Sequence, residues 1–87
     1  MNDISAKKVL FLGKKNDELC EQALAHIQKY FGEVEHHLGE WGEPLPETAK
    51  VWQGDLIISY LSRWVVPEYL LKRANFASIN FHPASPE

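Results

Sequence analysis

Apolar positions along the chain fall into blocks with two different periods. Lys8-Val-Leu-Phe-Leu-Gly13 is an unbroken apolar run closed by glycine, the pattern of a short strand covered on both faces. Beyond Lys14 and Lys15 the period changes. Leu19, Ala23, Ile27 and Phe31, with Cys20 and Leu24 alongside, form a stripe about one third of a helix circumference wide. Asn16 reads as the N-cap of this helix, Asp17 and Glu18 suit its positive end, and Gly32 reads as its stop. Glu33 to Leu38 predicts a weaker strand near an edge, and residues 39–46, with two glycines and two prolines, predict a loop. A helical turn follows over residues 47–52, with Ala49 and Trp52 inward. Leu56 to Leu61 is a second apolar run, interrupted only at Ser59, and predicts a third strand. Pro67 is favoured at the first turn of a helix and precedes Glu68, Tyr69, Leu70, Leu71 and Ala74. Phe76 to Phe81 predicts a fourth strand, running into His82-Pro83.

Strand–helix–strand, loop, strand–helix–strand predicts an α/β fold: a Rossmann-like, open, mainly parallel sheet of about four strands with flanking helices. Right-handed crossovers and a doubly wound pattern give the expected spatial order second, first, third, fourth. No internal repeat, low-complexity segment or linker divides residues 1–87, so the expectation is a single domain.

Eighty-seven residues allow one small domain that buries roughly 60–65% of the unfolded chain's surface. A hydrophobic share of 45% and a charged share of 24% are those of a soluble globular protein. The net charge of −3 offers no basic footprint for nucleic acid. Cys20, the one cysteine, has no internal disulfide partner, and no apolar run approaches the length of a membrane span. The first eight residues lack the apolar core of a signal peptide. The expected location is cytoplasmic.

Few positions carry candidate chemistry. The turn after the first strand reads Gly-Lys-Lys-Asn-Asp-Glu and lacks the later glycines that let a backbone approach a dinucleotide pyrophosphate. His36 and His37 are adjacent, so on a strand they face opposite ways and cannot ligate one metal. Cys20 lies on the apolar side of its helix, the position of a buried structural thiol. Trp41, in the glycine-rich loop, either stacks on a ligand or packs over the sheet edge. His82 and Asn80 differ from these. They stand two apart at the carboxyl end of a parallel strand, project to one side, and occupy the region where open α/β sheets hold ligands. An amide and an imidazole placed together can act on a carbonyl. The plainer alternative is a strand end on which His82 bonds a main-chain carbonyl.

Ile-Asn-Phe-His-Pro, set one helix after Ser-Tyr-Leu-Ser-Arg-Trp-Val-Val-Pro, resembles the core of the folate-dependent formyltransferases. This family includes methionyl-tRNA formyltransferase, glycinamide ribonucleotide transformylase and the nucleotide-sugar N-formyltransferases. Its signature is Asn-x-His-Pro at a strand end, completed by a distant Asp. The resemblance implies that Asn80 and His82 are a catalytic pair that transfers a formyl group from 10-formyltetrahydrofolate to an amine. It further implies that Leu61, Arg63, Trp64 and Val65 line the pterin site, with Pro67 where the family's proline begins a helix. Without the resemblance, Trp64 and Val65 simply cover the end of the sheet.

The chain departs from the family after His-Pro. Many members continue Ser-Leu-Leu-Pro-x-Tyr-x-Gly, whereas this sequence reads Ala84-Ser85-Pro86-Glu87. The resemblance spans the amino-terminal half of the family's domain, and its catalytic Asp lies in the other half. None of Asp3, Asp17 and Asp55 stands where that Asp would be needed. The expectation is a truncated homologue or fragment that retains Asn80 and His82 and does not turn over alone, its parent acting on an amino sugar in preference to a tRNA or purine precursor. The alternative is a non-catalytic, oligomeric or small-molecule-binding α/β module. In either case an apolar fourth strand at the sheet's edge predicts a homodimer through that edge or the face beside it.

Overall fold

The computed structural model describes residues 7–40, 42–62, 64 and 66–81. Its elements in chain order are β1 (Lys8–Lys14), α1 (Glu18–Tyr30), β2 (Glu33–Gly39), α2 (Glu47–Lys50), β3 (Gly54–Tyr60), α3 (Glu68–Leu71) and β4 (Ala74–Phe81). The four strands form one sheet in the order β2-β1-β3-β4, and every neighbouring pair is parallel. This is the α/β, doubly wound arrangement and the strand order that the alternation of periods predicts. No helix among the described residues is long and apolar enough to cross a membrane.

β1 and β3 lie inside the sheet, and their side chains feed two cores. Val9 and Phe11 of β1 with Leu56 and Ile58 of β3 face α1, where Cys20 and Leu24 meet them. Leu10, Leu12 and Ile57 face the other way, onto Ala49, Trp52 and Leu70. Val9 through Leu12 are fully buried, which explains the absence of alternation in that run: both faces are interior. β2 lies at one edge, half-buried and charged.

Both ends of α1 and its buried face differ from the sequence expectation, as do the end of β3, at Tyr60 and not Leu61, and Ala74, which opens β4 and does not belong to α3. Asn16 is not the N-cap of α1. It adopts a left-handed φ of 60°, a conformation that asparagine tolerates, and turns the chain so that Asp17 takes the cap. The Asp17 carboxylate accepts the Cys20 N–H at 2.9 Å. Nor does glycine stop the helix: Phe31 leaves it in an extended conformation, with φ −117° and ψ 132°. Leu19 stands 62% exposed, so the buried stripe runs through Cys20 and Leu24, flanked by Ala23 and Ile27.

Cys20 joins α1 to the end of β1. Its sulfur accepts the Lys14 N–H at 3.2 Å and its thiol donates to the Tyr60 carbonyl at 3.7 Å. A Cβ at Gly13 would lie 2.4 Å from that sulfur and 2.9 Å from the Phe11 ring. Glycine therefore stands at position 13, in β1, because there is no room for a side chain between the strand and the helix. Gly13→Ala is expected to destabilise the fold by about 1–3 kcal/mol through overpacking, read from urea unfolding. Burial pushes the Cys20 thiol above its ordinary value of 9.0, with Asp17 and Glu21 adding to the rise against the Lys14 N–H. Its protonated form is thus favoured in the native state. That contribution is fully present below pH 9.0 and is lost as pH rises through the native value. Stability is expected to fall above pH 9, with a shallower slope in Cys20→Ala, measured by unfolding curves at stepped pH.

Candidate functional site

The loops leaving β1, β2 and β3 gather at the carboxyl end of the sheet. The Lys15 N–H donates to the Gly39 carbonyl at 2.9 Å, joining the first two. Lys15 Nζ stands 3.5 Å from Glu43, and the Glu40 N–H donates to Glu43 Oε1 at 2.6 Å. That N–H and then the Lys15 charge hold the Glu43 carboxyl below its usual range.

The third loop begins with backbone strain. Leu61 has a φ of 56°, a left-handed conformation uncommon for a large side chain. Its N–H still donates to the Phe81 carbonyl at 3.1 Å, continuing the β3–β4 ladder while the chain turns. The Trp64 N–H donates to Ser62 Oγ at 3.0 Å and its indole Nε1–H donates to the Glu43 carbonyl at 2.9 Å. The Trp64 ring lies against Gly39, where a Cβ would come within 2.8 Å of three ring carbons. Because β1 lies between β2 and β3, this ring spans the end of β1 and covers the switch point of the sheet.

On the α3 side of Trp64 the structure holds a crevice of about 280 Å³. Ile57 and Ser59 of β3 and Ser78 and Asn80 of β4 form its floor, while Trp64, Val66 and Leu71 form its walls. The pairing register explains the floor: Ile57 is opposite Ser78 and Ser59 is opposite Asn80, so all four project to one face. Ser59 is a buried polar residue there, at 6% exposure. The arrangement is an apolar slot, walled by an indole and floored by two hydroxyls and a carboxamide, suited to a flat ring with a few polar groups.

The residues singled out from the sequence separate at this point. Asn80 and Trp64 line the same crevice. Leu61 does not line it and acts through the turn it makes. Arg63, Val65, His82 and Trp41 lie outside the described residues. His36 is exposed, and His37 Nε2 pairs with Glu35 at 2.8 Å, each on its own face of β2. Among the described aspartates, Asp17 caps α1 and Asp55 accepts the Lys8 N–H at 2.9 Å, at the end of the sheet opposite Asn80. Ser78 escaped the sequence reading although alternation along β4 with Asn80 carried the signal, whereas Ser59 joins them only through the register of β3 against β4. Gly39 had no signal, since its role depends on where Trp64 lands. No protein-family model, curated protein or solved structure matches the chain.

Gly39→Ala is expected to drive the Trp64 indole off β2 and break its bond to Glu43. Loss of protection of the Trp64 indole N–H in a nitrogen–proton NMR spectrum checks this, with a stability cost of about 1–3 kcal/mol.

Proposed function

We propose that this chain is the cofactor-binding half of a 10-formyltetrahydrofolate-dependent formyltransferase site, whose parent reaction moves a formyl group to an amine. The observation that carries the reading is the crevice in which Trp64 and Asn80, two residues drawn from separate segments of the family pattern, meet. Its volume of about 280 Å³ lies at the lower end of ligand pockets and suits a fused bicyclic head without its tail. The residues present fit a pterin. Trp64, Val66 and Leu71 offer apolar walls, and the Ser59 and Ser78 hydroxyls offer donors and acceptors for ring heteroatoms.

10-Formyltetrahydrofolate supplies the one-carbon unit when bound. In this reading the chain holds the pterin and waits on charge. The Asn80 carboxamide N–H would donate to the formyl oxygen, the atom on which transfer to an amine places negative charge. The resemblance gives His82 the amine's proton. Asp17 and Asp55 are engaged elsewhere, so the reading gives these residues binding without turnover. A cytoplasmic setting accords with a folate donor and with a buried, unpaired Cys20. The same engagement of the aspartates favours a second reading, a small-molecule-binding α/β module with no catalytic role.

Calorimetric titration with 5-formyltetrahydrofolate tests the pterin site. Saturable one-to-one binding is expected. Trp64→Ala is expected to weaken it at least about tenfold, and Ser78→Phe, on an exposed position of β4, to abolish it by filling the slot. Absence of binding in protein whose circular dichroism shows it folded would overturn the reading.

A further inference from the structure

The two edges of the sheet are protected very differently. β2 presents Glu33, Glu35, His36 and His37 along its edge, the charged guard that discourages strand addition. β4 has no neighbour on its outer side among the described residues. It runs Ala-Asn-Phe-Ala-Ser-Ile-Asn-Phe over eight residues without a charge, and Phe76, Ile79 and Phe81 are 62%, 46% and 52% exposed. Phe81 and Ile79 also border an apolar groove of about 580 Å³ beside α1, with Phe11, Ile58 and Tyr60 in its wall. We propose that the occupant of this edge is a second copy of the chain, its β4 antiparallel to the first across a two-fold axis at Ile79.

The side chains select that register. The Leu61 N–H bonds the Phe81 carbonyl and Phe81 is paired with Tyr60, so Ala77, Ile79 and Phe81 turn their main-chain groups toward β3. Ser78 and Asn80 turn theirs to the free edge. A two-fold at Ile79 sets Ser78 opposite the partner's Asn80 as a hydrogen-bonded pair on the crevice face. On the α1 face it sets Ile79 opposite its own copy and Ala77 opposite the partner's Phe81. Polar meets polar, apolar meets apolar, and the large ring meets the small side chain. Axes further back along β4 sort poorly: one at Ser78 puts Phe76 opposite Asn80 and Asn75 opposite Phe81, and one at Ala77 puts Asn75 opposite Ile79. An axis at Asn80 pairs only Ile79 to Phe81 among the described residues.

Continuity with the core favours the same pairing. Ala77 already packs against the α1-side core, so the partner's Phe81 extends that core across the axis. The exposed parts of Ile79 and Phe81 are on the order of 100 Å² each. With the backbone of the five paired residues, the pair removes on the order of several hundred Å² in all, the range of a weak, transient interface. The dimer is thus expected to be concentration-dependent, with an eight-stranded continuous sheet.

Sedimentation velocity of the 87-residue chain between about 5 and 100 μM is expected to show a monomer–dimer equilibrium. Ile79→Lys is expected to weaken it at least about tenfold while circular dichroism is unchanged. A second variant does not depend on that substitution. Residues opposite each other in a non-hydrogen-bonded pair have Cα atoms about 4.5 Å apart, within disulfide reach, so Ile79→Cys is expected to give a covalent dimer on mild oxidation. Ser78→Cys is displaced by two positions across the axis and is expected to remain uncrosslinked, as is the native chain, whose Cys20 is buried. A monomer at 100 μM, a dimer indifferent to Ile79→Lys, or crosslinking at position 78 in place of 79 would each overturn the proposal.

Discussion

Burial of β1 on both faces is the constraint on which the rest of this structure depends. Val9, Leu10, Phe11 and Leu12 are completely enclosed, and at roughly 25 cal/mol per Å² of apolar surface such a run is the largest concentrated source of stability in a small domain. Enclosure requires a strand on either side and a layer above and below. β2 and β3 supply the first, α1 on one face and α2, α3 and Trp52 on the other supply the second. The crossover from β1 to β2 then runs along one face, and those leading to β3 and β4 run along the other, which produces the doubly wound order β2-β1-β3-β4. It also leaves the carboxyl ends of the inner strands as the place where three loops converge.

How that end is closed decides the shape of the site. Two glycines let side chains approach closely: Gly13 admits the Cys20 sulfur, and Gly39 admits the face of Trp64. With its indole bonded to Glu43, Trp64 covers the end of β1, the position that many doubly wound sheets leave open for a ligand. The crevice consequently lies one strand over, above β3 and β4. The left-handed turn at Leu61 starts the loop that carries Trp64 across. Trp64 therefore covers the sheet and also forms a wall of the crevice.

Legibility followed the range of the forces involved. The strands, α1, the inward Ala49 and Trp52, and the opposed faces of His36 and His37 are all readable because they rest on period and on neighbours close in the chain. The cap of α1 was misplaced by one residue because Asn16 and Asp17 are both good capping residues. The choice was made by the left-handed turn that brings the chain out of β1. For the crevice, Asn80 and Trp64 were recognisable as residues, and Ser78 was within reach of alternation along β4, whereas Ser59 was placed by the register of β3 against β4. Gly39 was not, because a glycine's use is set by whatever packs on it, and Trp64 is far away in sequence.

The amino-acid sequence by itself determined the elements, their parallel pairing and the strand order, since two largely apolar runs joined by crossovers have few ways to bury both faces. The tertiary structure alone decided which aromatic lands on which glycine and where an open slot remains. It also decided that β4, with Ile79 and Phe81 half-exposed beside α1, presents an uncharged edge. The physical reason is that steric exclusion and exposure arise between residues distant in the chain. Local pattern records only which side of an element is apolar, whereas contact depends on how completely the other elements cover it.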